Sequence, residues 1–376
     1  MPKSLPALTG LRFIAAAFIL IHHSAGFGLK PPPLLYDHGV SFFFVLSGFI
    51  LAYIHPRLDG LRGAAMFLWN RLSRIWPAHV AMLAVALTVL HEPVTWMLPL
   101  NAALVHAWMP AGASYFSYND VSWSVSTELA FYIAFPFFIS RWRQTYWWKI
   151  ALAISIVAAT IVLCDIFRLG DFQPDSTITA HGLIYISPLG RILEFVTGIA
   201  CCSVFRWLWT RAPGGFLLFT AIEFACVAAL YFTLTGGLVE PFIGIASDGF
   251  MIWLGHSSSL PSCALLIIVF AFGRGALSKL VSTRLLILLG EVSFSLYLTH
   301  RIVDAVYWTN LTYTPPNPDI RGAVLCISGA FLAAFALHYC VERPAREVLR
   351  KLVRSYCARR ALIVPNELTV PPVNAS

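Results

Sequence analysis

Charge is scarce in this chain. Its 26 Lys and Arg and 18 Asp and Glu make up 12% of 376 residues, against about 25% in ordinary soluble domains. With 58% hydrophobic and 14% aromatic residues beside it, that shortage excludes a soluble globular protein. Several catalytic signatures are absent too. There is no GxxxxGK[ST] loop, no HExxH and no GxSxG elbow, so ATP hydrolysis, zinc proteolysis and ordinary serine hydrolysis lack support. No two cysteines have CxxC spacing. Cys164, Cys201, Cys202, Cys226, Cys263, Cys326 and Cys340 lie in or beside apolar segments and read as small apolar residues. No internal repeat stands out, which weakens the inverted-repeat pattern common among transporters.

What remains are long apolar runs of the length a bilayer requires, roughly 17–25 residues. They predict an all-α polytopic membrane bundle of about ten transmembrane helices, near 11–28, 39–55, 75–91, 122–140, 146–164, 185–205, 214–235, 249–272, 285–309 and 322–341. The shorter piece from Val94 to Trp108, with Pro99, Asn101 and His106, reads as re-entrant or interfacial. The first run is a retained helix and not a signal peptide, because Arg12, His22 and His23 interrupt or border it and no small-residue cleavage pattern follows.

Ten spans put both termini on one side. If that side is cytoplasmic, its connections hold Arg57, Arg62, Arg71, Arg74, Arg141, Arg143, Lys149, Arg206, Arg211, Arg274, Lys279 and Arg284, and the tail adds more. The other side holds little beyond Lys30, Arg168 and Arg321, with Asp165, Asp171 and Asp175. This is the positive-inside asymmetry. It accounts for the net charge of +8 without nucleic acid, because no basic domain with stacking aromatics is present. Residues 1–345 form the expected membrane domain, and 346–376 a basic cytoplasmic tail.

Ionisable residues inside spans are costly, about 2.5–3.5 kcal/mol at mid-bilayer for Arg, and are functional candidates for that reason. Arg12 and His23 are eleven residues apart, close to three helical turns, so they share one face about 16 Å apart along the axis. Ser47-Gly48 suits either close helix approach or function. Arg71 and Arg74, at i and i+3, can grip phosphate oxygens with two guanidinium forks or anchor lipid headgroups. Glu128 and Tyr132 face one side of the fourth span, where Glu128 either neutralises Arg12 or Arg191 or takes part in catalysis. Arg191 and Glu194 can pair locally. In the ninth span Asp304 lies one turn from His300 and could orient its ring. On residue chemistry alone, a transporter or flippase with a proton path through His23, Glu128 and Arg191 competes with an enzyme.

The ordered set of motifs resembles acyltransferase family 3, the membrane O-acetyltransferases of bacterial polysaccharide and lipopolysaccharide. The similarity runs from Leu8-Thr9-Gly10-Leu11-Arg12 to Glu342-Arg343-Pro344. It includes Arg12-x10-His23, Phe43-Phe44-Val45-Leu46-Ser47-Gly48-Phe49, Arg71-x-x-Arg74, Trp123-Ser124-Val125-Ser126-Thr127-Glu128 with Tyr132, Arg191-Ile192-Leu193-Glu194, and Ser293 to His300. The resemblance implies transfer of an acyl group, acetyl by default, from acyl-coenzyme A to a hydroxyl of a carbohydrate or lipid-linked glycan, in the bacterial inner membrane. No bound cofactor or metal is expected. It implies catalytic roles for His23, Glu128 and Arg12, with His23 as base. Donor contacts fall to Arg71, Arg74, Ser47 and Gly48, and acceptor or supporting roles to Trp123, Tyr132, Arg191, Glu194, Tyr297 and His300. Two departures stand out. Ser41 occupies a usually acidic position, and the esterase-like domain that many members carry is not expected here, which implies the stand-alone exopolysaccharide type.

Overall fold

The computed structural model describes residues 2, 4–29, 32–172, 178–212, 214–310 and 318–363. Fifteen α-helices occur in them: α1 (Pro6–Ser24), α2 (Gly39–Ile54), α3 (Gly60–Thr88), α4 (Met97–Ala102), α5 (Gly112–Tyr115), α6 (Trp123–Ile139), α7 (Trp142–Ile166), α8 (Pro188–Trp209), α9 (Phe216–Leu234), α10 (Asp248–Ser257), α11 (Leu260–Ala271), α12 (Ala276–Val281), α13 (Arg284–Thr309), α14 (Ile320–Leu337) and α15 (Arg343–Ile363). One-turn π-helical segments precede α8 (His181–Ile186) and join α14 to α15 (His338–Glu342). The helix starts carry local signals. Pro6 and Pro188 occupy first-turn positions that need no N–H donor, and the side chains of Ser187, Ser247 and Asp319 accept from Leu189 N, Phe250 N and Gly322 N.

Among the described residues, eight segments are long and apolar enough to cross a membrane: Pro6–Phe27, Tyr36–Ile54, Trp142–Ile166, His181–Trp209, Phe216–Leu234, Asp248–Ala271, Arg284–Thr309 and Ile320–Val353. The chain is an all-α polytopic membrane protein. Two further expected spans differ. α6 has only 17 residues, and α3 carries Arg62, Arg71 and Arg74 in its first half. The apolar run expected near 249–272 is interrupted between α10 and α11 at Ser258 and Ser259, ahead of Pro261. Val94–Trp108 folds into the six-residue α4 and a single turn at His106–Trp108, too short to cross.

α1 packs between α2 and α13, α2 runs along α8, and α14 lies against α13. The α2–α8 contact is close because both helices present glycine. A Cβ on Gly48 would collide with the Phe195 carbonyl, and one on Gly198 with the Val45 carbonyl. Around this seam Phe131 stacks on Phe195 with ring centroids 4.9 Å apart, and Phe44 meets Phe131 edge-on at 5.1 Å.

Two cations expected to mark solvent-facing connections have other partners. Lys149 is buried and its Nζ donates to the carbonyls of Phe137 (2.8 Å) and Phe138 (3.0 Å), at the end of α6. Arg206 Nη2 donates to the carbonyls of Ala52 (3.1 Å) and Tyr53 (3.0 Å), at the end of α2. Last-turn carbonyls have no partner within their own helix and carry the negative end of its dipole, so a neighbouring cation satisfies both needs. Lys30 and Asp175 lie outside the described residues.

Candidate active site

Five helices, α1, α2, α3, α6 and α13, enclose a cavity of about 190 Å³. Arg12, Ser47, Arg71, Arg74, Glu128, Tyr132 and Tyr297 line it, so residues spread over nearly three hundred positions converge. Helical spacing presents them in pairs: Arg71 and Arg74 share one face of α3, and Glu128 and Tyr132 one face of α6. Glu128 Oε1 accepts from Tyr132 Oη at 2.6 Å and from Ser47 Oγ at 3.1 Å. That fixes the carboxylate from two helices. Tyr297 Oη accepts from Ser124 Oγ (2.8 Å) and donates to the Val121 carbonyl (2.9 Å).

Three guanidinium groups therefore line the cavity with one carboxylate. Arg71 is only 7% exposed, and its Nε has no hydrogen-bond partner among the described residues. Its cation faces the Phe67 ring at 5.8 Å. A buried donor without an acceptor costs about 1–3 kcal/mol, more for a charged group. An incoming anion relieves that cost. Arg12 also lies in the fields of Arg74, Glu342 and Glu128.

His23 and His300 do not line the cavity but pair beside it. His300 Nδ1 lies 2.8 Å from the Tyr297 carbonyl, and its Nε2 lies 3.2 Å from His23 Nδ1. His23 Nδ1 is also 3.0 Å from the Ile19 carbonyl. Carbonyls only accept, so in the neutral rings His300 Nδ1 carries the proton and its Nε2 accepts. His23 Nδ1 then carries a proton shared between Ile19 and His300. That arrangement leaves His23 Nε2 with a lone pair and no proton. Tyr297 connects the two places, with its ring in the cavity and its carbonyl on His300.

Other expected residues lie elsewhere. Gly48 faces α8 and is a packing residue, while its neighbour Ser47 faces the cavity. Arg191 is fully buried; its terminal nitrogens are hydrogen-bonded, while its Nε and the Glu194 carboxylate meet as an ion pair with no hydrogen bond among the described residues. Its Nη1 donates to the His256 carbonyl (3.1 Å) and Ser257 Oγ (3.0 Å), its Nη2 donates to Ser41 Oγ (2.9 Å), and its Nε stands 3.1 Å from Glu194 Oε2. It also sits over Phe44 and Tyr185, at 5.5 and 5.1 Å from the ring centroids. Glu194 therefore supplies the charge that Ser41 lacks, and Glu128 does not neutralise Arg191. Trp123 stands between these regions, 6.3 Å from Phe44 and 4.8 Å from Tyr185. Asp304 does not orient His300. It faces Arg301 at 3.6 Å, and Arg301 in turn pairs with Asp120 at 2.8 Å.

Sequence reasoning missed two groups. Asp37 Oδ2 meets His256 Nδ1 at 2.8 Å, with the Tyr185 ring 4.1 Å and the His181 ring 5.5 Å from the His256 ring. The pair is 219 positions apart, so no spacing rule finds it. Glu342, marked in the sequence only as part of the closing Glu342-Arg343-Pro344 motif, accepts from Ser295 Oγ (2.9 Å) and faces His338 Nδ1 (2.9 Å). The i, i+4 spacing of His338 and Glu342 is the one signal that pointed there.

The fold makes this a membrane-embedded helical protein, and comparison with known proteins makes its class that of the acyl-transferring enzymes. Residues 5–339 match the family described as Acyltransferase domain (Acyl_transf_3), and the chain belongs to it. Acyltransferase MdmB of Streptomyces mycarofaciens is 29% identical over 92% of both chains. O-acetyltransferase OatA of Staphylococcus aureus is 24% identical over 92% of this chain, which spans 58% of OatA's length. Nodulation protein 10 of Rhizobium leguminosarum bv. viciae is 28% identical over 48% of this chain and 57% of its own length. No solved structure matches. The chain is an acyltransferase of groups other than amino-acyl groups, and the transporter reading is set aside.

Proposed function

We propose that this enzyme moves an acyl group, acetyl in the first instance, from acyl-coenzyme A to a hydroxyl of a cell-surface or exported glycan in the bacterial cytoplasmic membrane. The observation that carries the reading is the cavity lined by Arg12, Arg71, Arg74 and the one carboxylate Glu128, joined through Tyr297 to the His300–His23 pair, in which His23 Nε2 keeps a lone pair. Phosphate oxygens of the donor match guanidinium forks, and the unpartnered Arg71 Nε is a donor waiting for such an acceptor.

In the step we infer, His23 Nε2 takes the proton of the acceptor hydroxyl while its oxygen attacks the thioester carbonyl. The C–S bond breaks, the ester forms, and the coenzyme A thiolate leaves and takes up, through water, the proton that His23 Nε2 gives back, which restores the base. Positioned bases of this kind contribute about 10²–10⁴-fold. Arg12 balances charge in the cavity, and Ser47 and Tyr132 hold Glu128 in place. The relative OatA, named as an O-acetyltransferase, supports a hydroxyl acceptor and an acetyl group.

Purified protein incubated with radiolabelled acetyl-coenzyme A and glycan fractions tests the reading. Label should enter an alkali-labile ester on the glycan, and mass spectra of surface glycans should lose that ester when the gene is deleted or carries His23→Ala. Label in no glycan fraction, or unchanged glycans in the deletion strain, would overturn the acceptor assignment.

A further inference from the structure

A second, larger cavity of about 980 Å³ opens where the end of α2, the turn between α6 and α7, and the last turns of α8 meet. It is separate from the acyl-transfer cavity, with which it shares no lining residue. Five arginines line it, Arg57, Arg141, Arg143, Arg206 and Arg211, and its lining contains no Asp or Glu. Membrane orientation needs arginines on one side of the bilayer, but it does not need five of them around one hollow.

The local electrostatics are all of one sign. Arg206 already occupies the two carbonyls at the end of α2, and Arg211 Nη1 donates to the Trp207 carbonyl at 3.2 Å, so the negative helix ends here are neutralised. α7 directs its N-terminus, the positive end of a 25-residue helix, toward the same hollow. The residue before it, Arg141, has a left-handed backbone (φ 47°) that turns the chain sharply from α6 into α7. Arg57, Arg141 and Arg143 form no ion pair among the described residues.

The rest of the lining is apolar and aromatic: Trp142, Tyr146, Trp207, Ile150 and Val204. Tyr146, Trp207 and Val204 are about half exposed on the outside of the bundle, as an interfacial aromatic belt would be. Trp142 is held by a 2.7 Å bond from its Nε1 to Ser203 Oγ. A soluble anion uses only the arginines. A ligand with an anionic phosphate head and hydrocarbon chains uses both parts, the head among Arg57, Arg141 and Arg143 and a chain along Ile150 and Val204. We propose that this cavity is a binding site for an anionic phospholipid, independent of the acyl-transfer chemistry.

Native mass spectrometry of the detergent-purified full chain with phosphatidylglycerol, phosphatidylcholine or inorganic pyrophosphate tests this. Phosphatidylglycerol should be retained in preference to phosphatidylcholine. The triple variant Arg57→Gln, Arg141→Gln, Arg143→Gln should weaken its binding about a hundredfold, from about fivefold per arginine. The exposed single variant Arg143→Gln covers the case in which the triple does not fold. Val204→Trp, which fills the apolar part and leaves every charge, should reduce phosphatidylglycerol binding and spare any pyrophosphate binding. Equal retention of the two phospholipids, or of phosphatidylglycerol by wild type and Arg143→Gln alike, would overturn the site. Pyrophosphate bound as well as phosphatidylglycerol, with Val204→Trp silent, would overturn the lipid in favour of a soluble anion.

Discussion

Arg191 and Arg71 are both buried arginines on helices of the same bundle, and they differ in how completely they are bonded. Arg191 has oxygen partners on three sides and aromatic rings on its faces. Both leave Nε without a hydrogen bond, but Arg71 faces one ring, has no hydrogen bond or ion pair among the described residues, and lies beside a cavity shared with two further guanidiniums. A charge taken out of water must be compensated inside the protein, or kept for something that arrives later. An arginine whose charge is compensated by a carboxylate holds helices together. An uncompensated one is kept at a cost in stability for a ligand, as active-site groups commonly are.

The contrast can be broken most sharply at Arg191. Arg191→Met leaves Glu194 buried without its partner and should cost about 3–5 kcal/mol of stability, read as loss of the folded, monodisperse protein in detergent. Arg191→Met that unfolds at the wild-type temperature would mean the compensated cluster holds nothing. His23→Ala should lower acyl transfer about 10²–10⁴-fold with thermal unfolding unchanged. If turnover survives, the base lies elsewhere.

Arg71→Ala with Arg74→Ala should weaken acetyl-coenzyme A binding by calorimetry by about 10–100-fold, the scale of one or two charge-assisted hydrogen bonds. Its unfolding temperature should hold or rise, because an uncompensated buried cation is gone. A fall as large as that of Arg191→Met would erase the distinction between the two arginines. Gly48→Ala drives a methyl into the Phe195 carbonyl and should cost about 1–3 kcal/mol as overpacking, with donor affinity in the folded fraction unchanged. Ser47→Ala, one residue away, removes a single bond to Glu128 and should cost about 1 kcal/mol, felt in turnover before stability.

Much of the architecture was legible because a bilayer imposes a simple rule on sequence: apolar residues for about twenty positions. Eight of the ten expected spans coincide with helices that meet that rule. The two that do not, α3 and α6, carry Arg71, Arg74, Glu128 and Tyr132 of the cavity, so their polarity or shortness goes with the site. Pairs one turn apart were also readable, since helix geometry makes neighbours of them: Arg191 with Glu194 and Glu128 with Tyr132. The same rule failed for Asp304 and His300, because Arg301 and the Tyr297 carbonyl are better partners.

By itself, then, the sequence determined that this chain is a membrane bundle, which of its residues are too polar to be there without cause, and the family those motifs resemble. Only the tertiary structure decided which of those residues meet. It put Arg12, Arg71, Arg74 and Glu128 around one cavity, gave Arg191 to Ser41 and Glu194, and paired His23 with His300 across 277 positions. The physical reason is that cost is local and partnership is not. A buried charge is unfavourable wherever it stands in the chain, but what compensates it depends on which helices pack side by side.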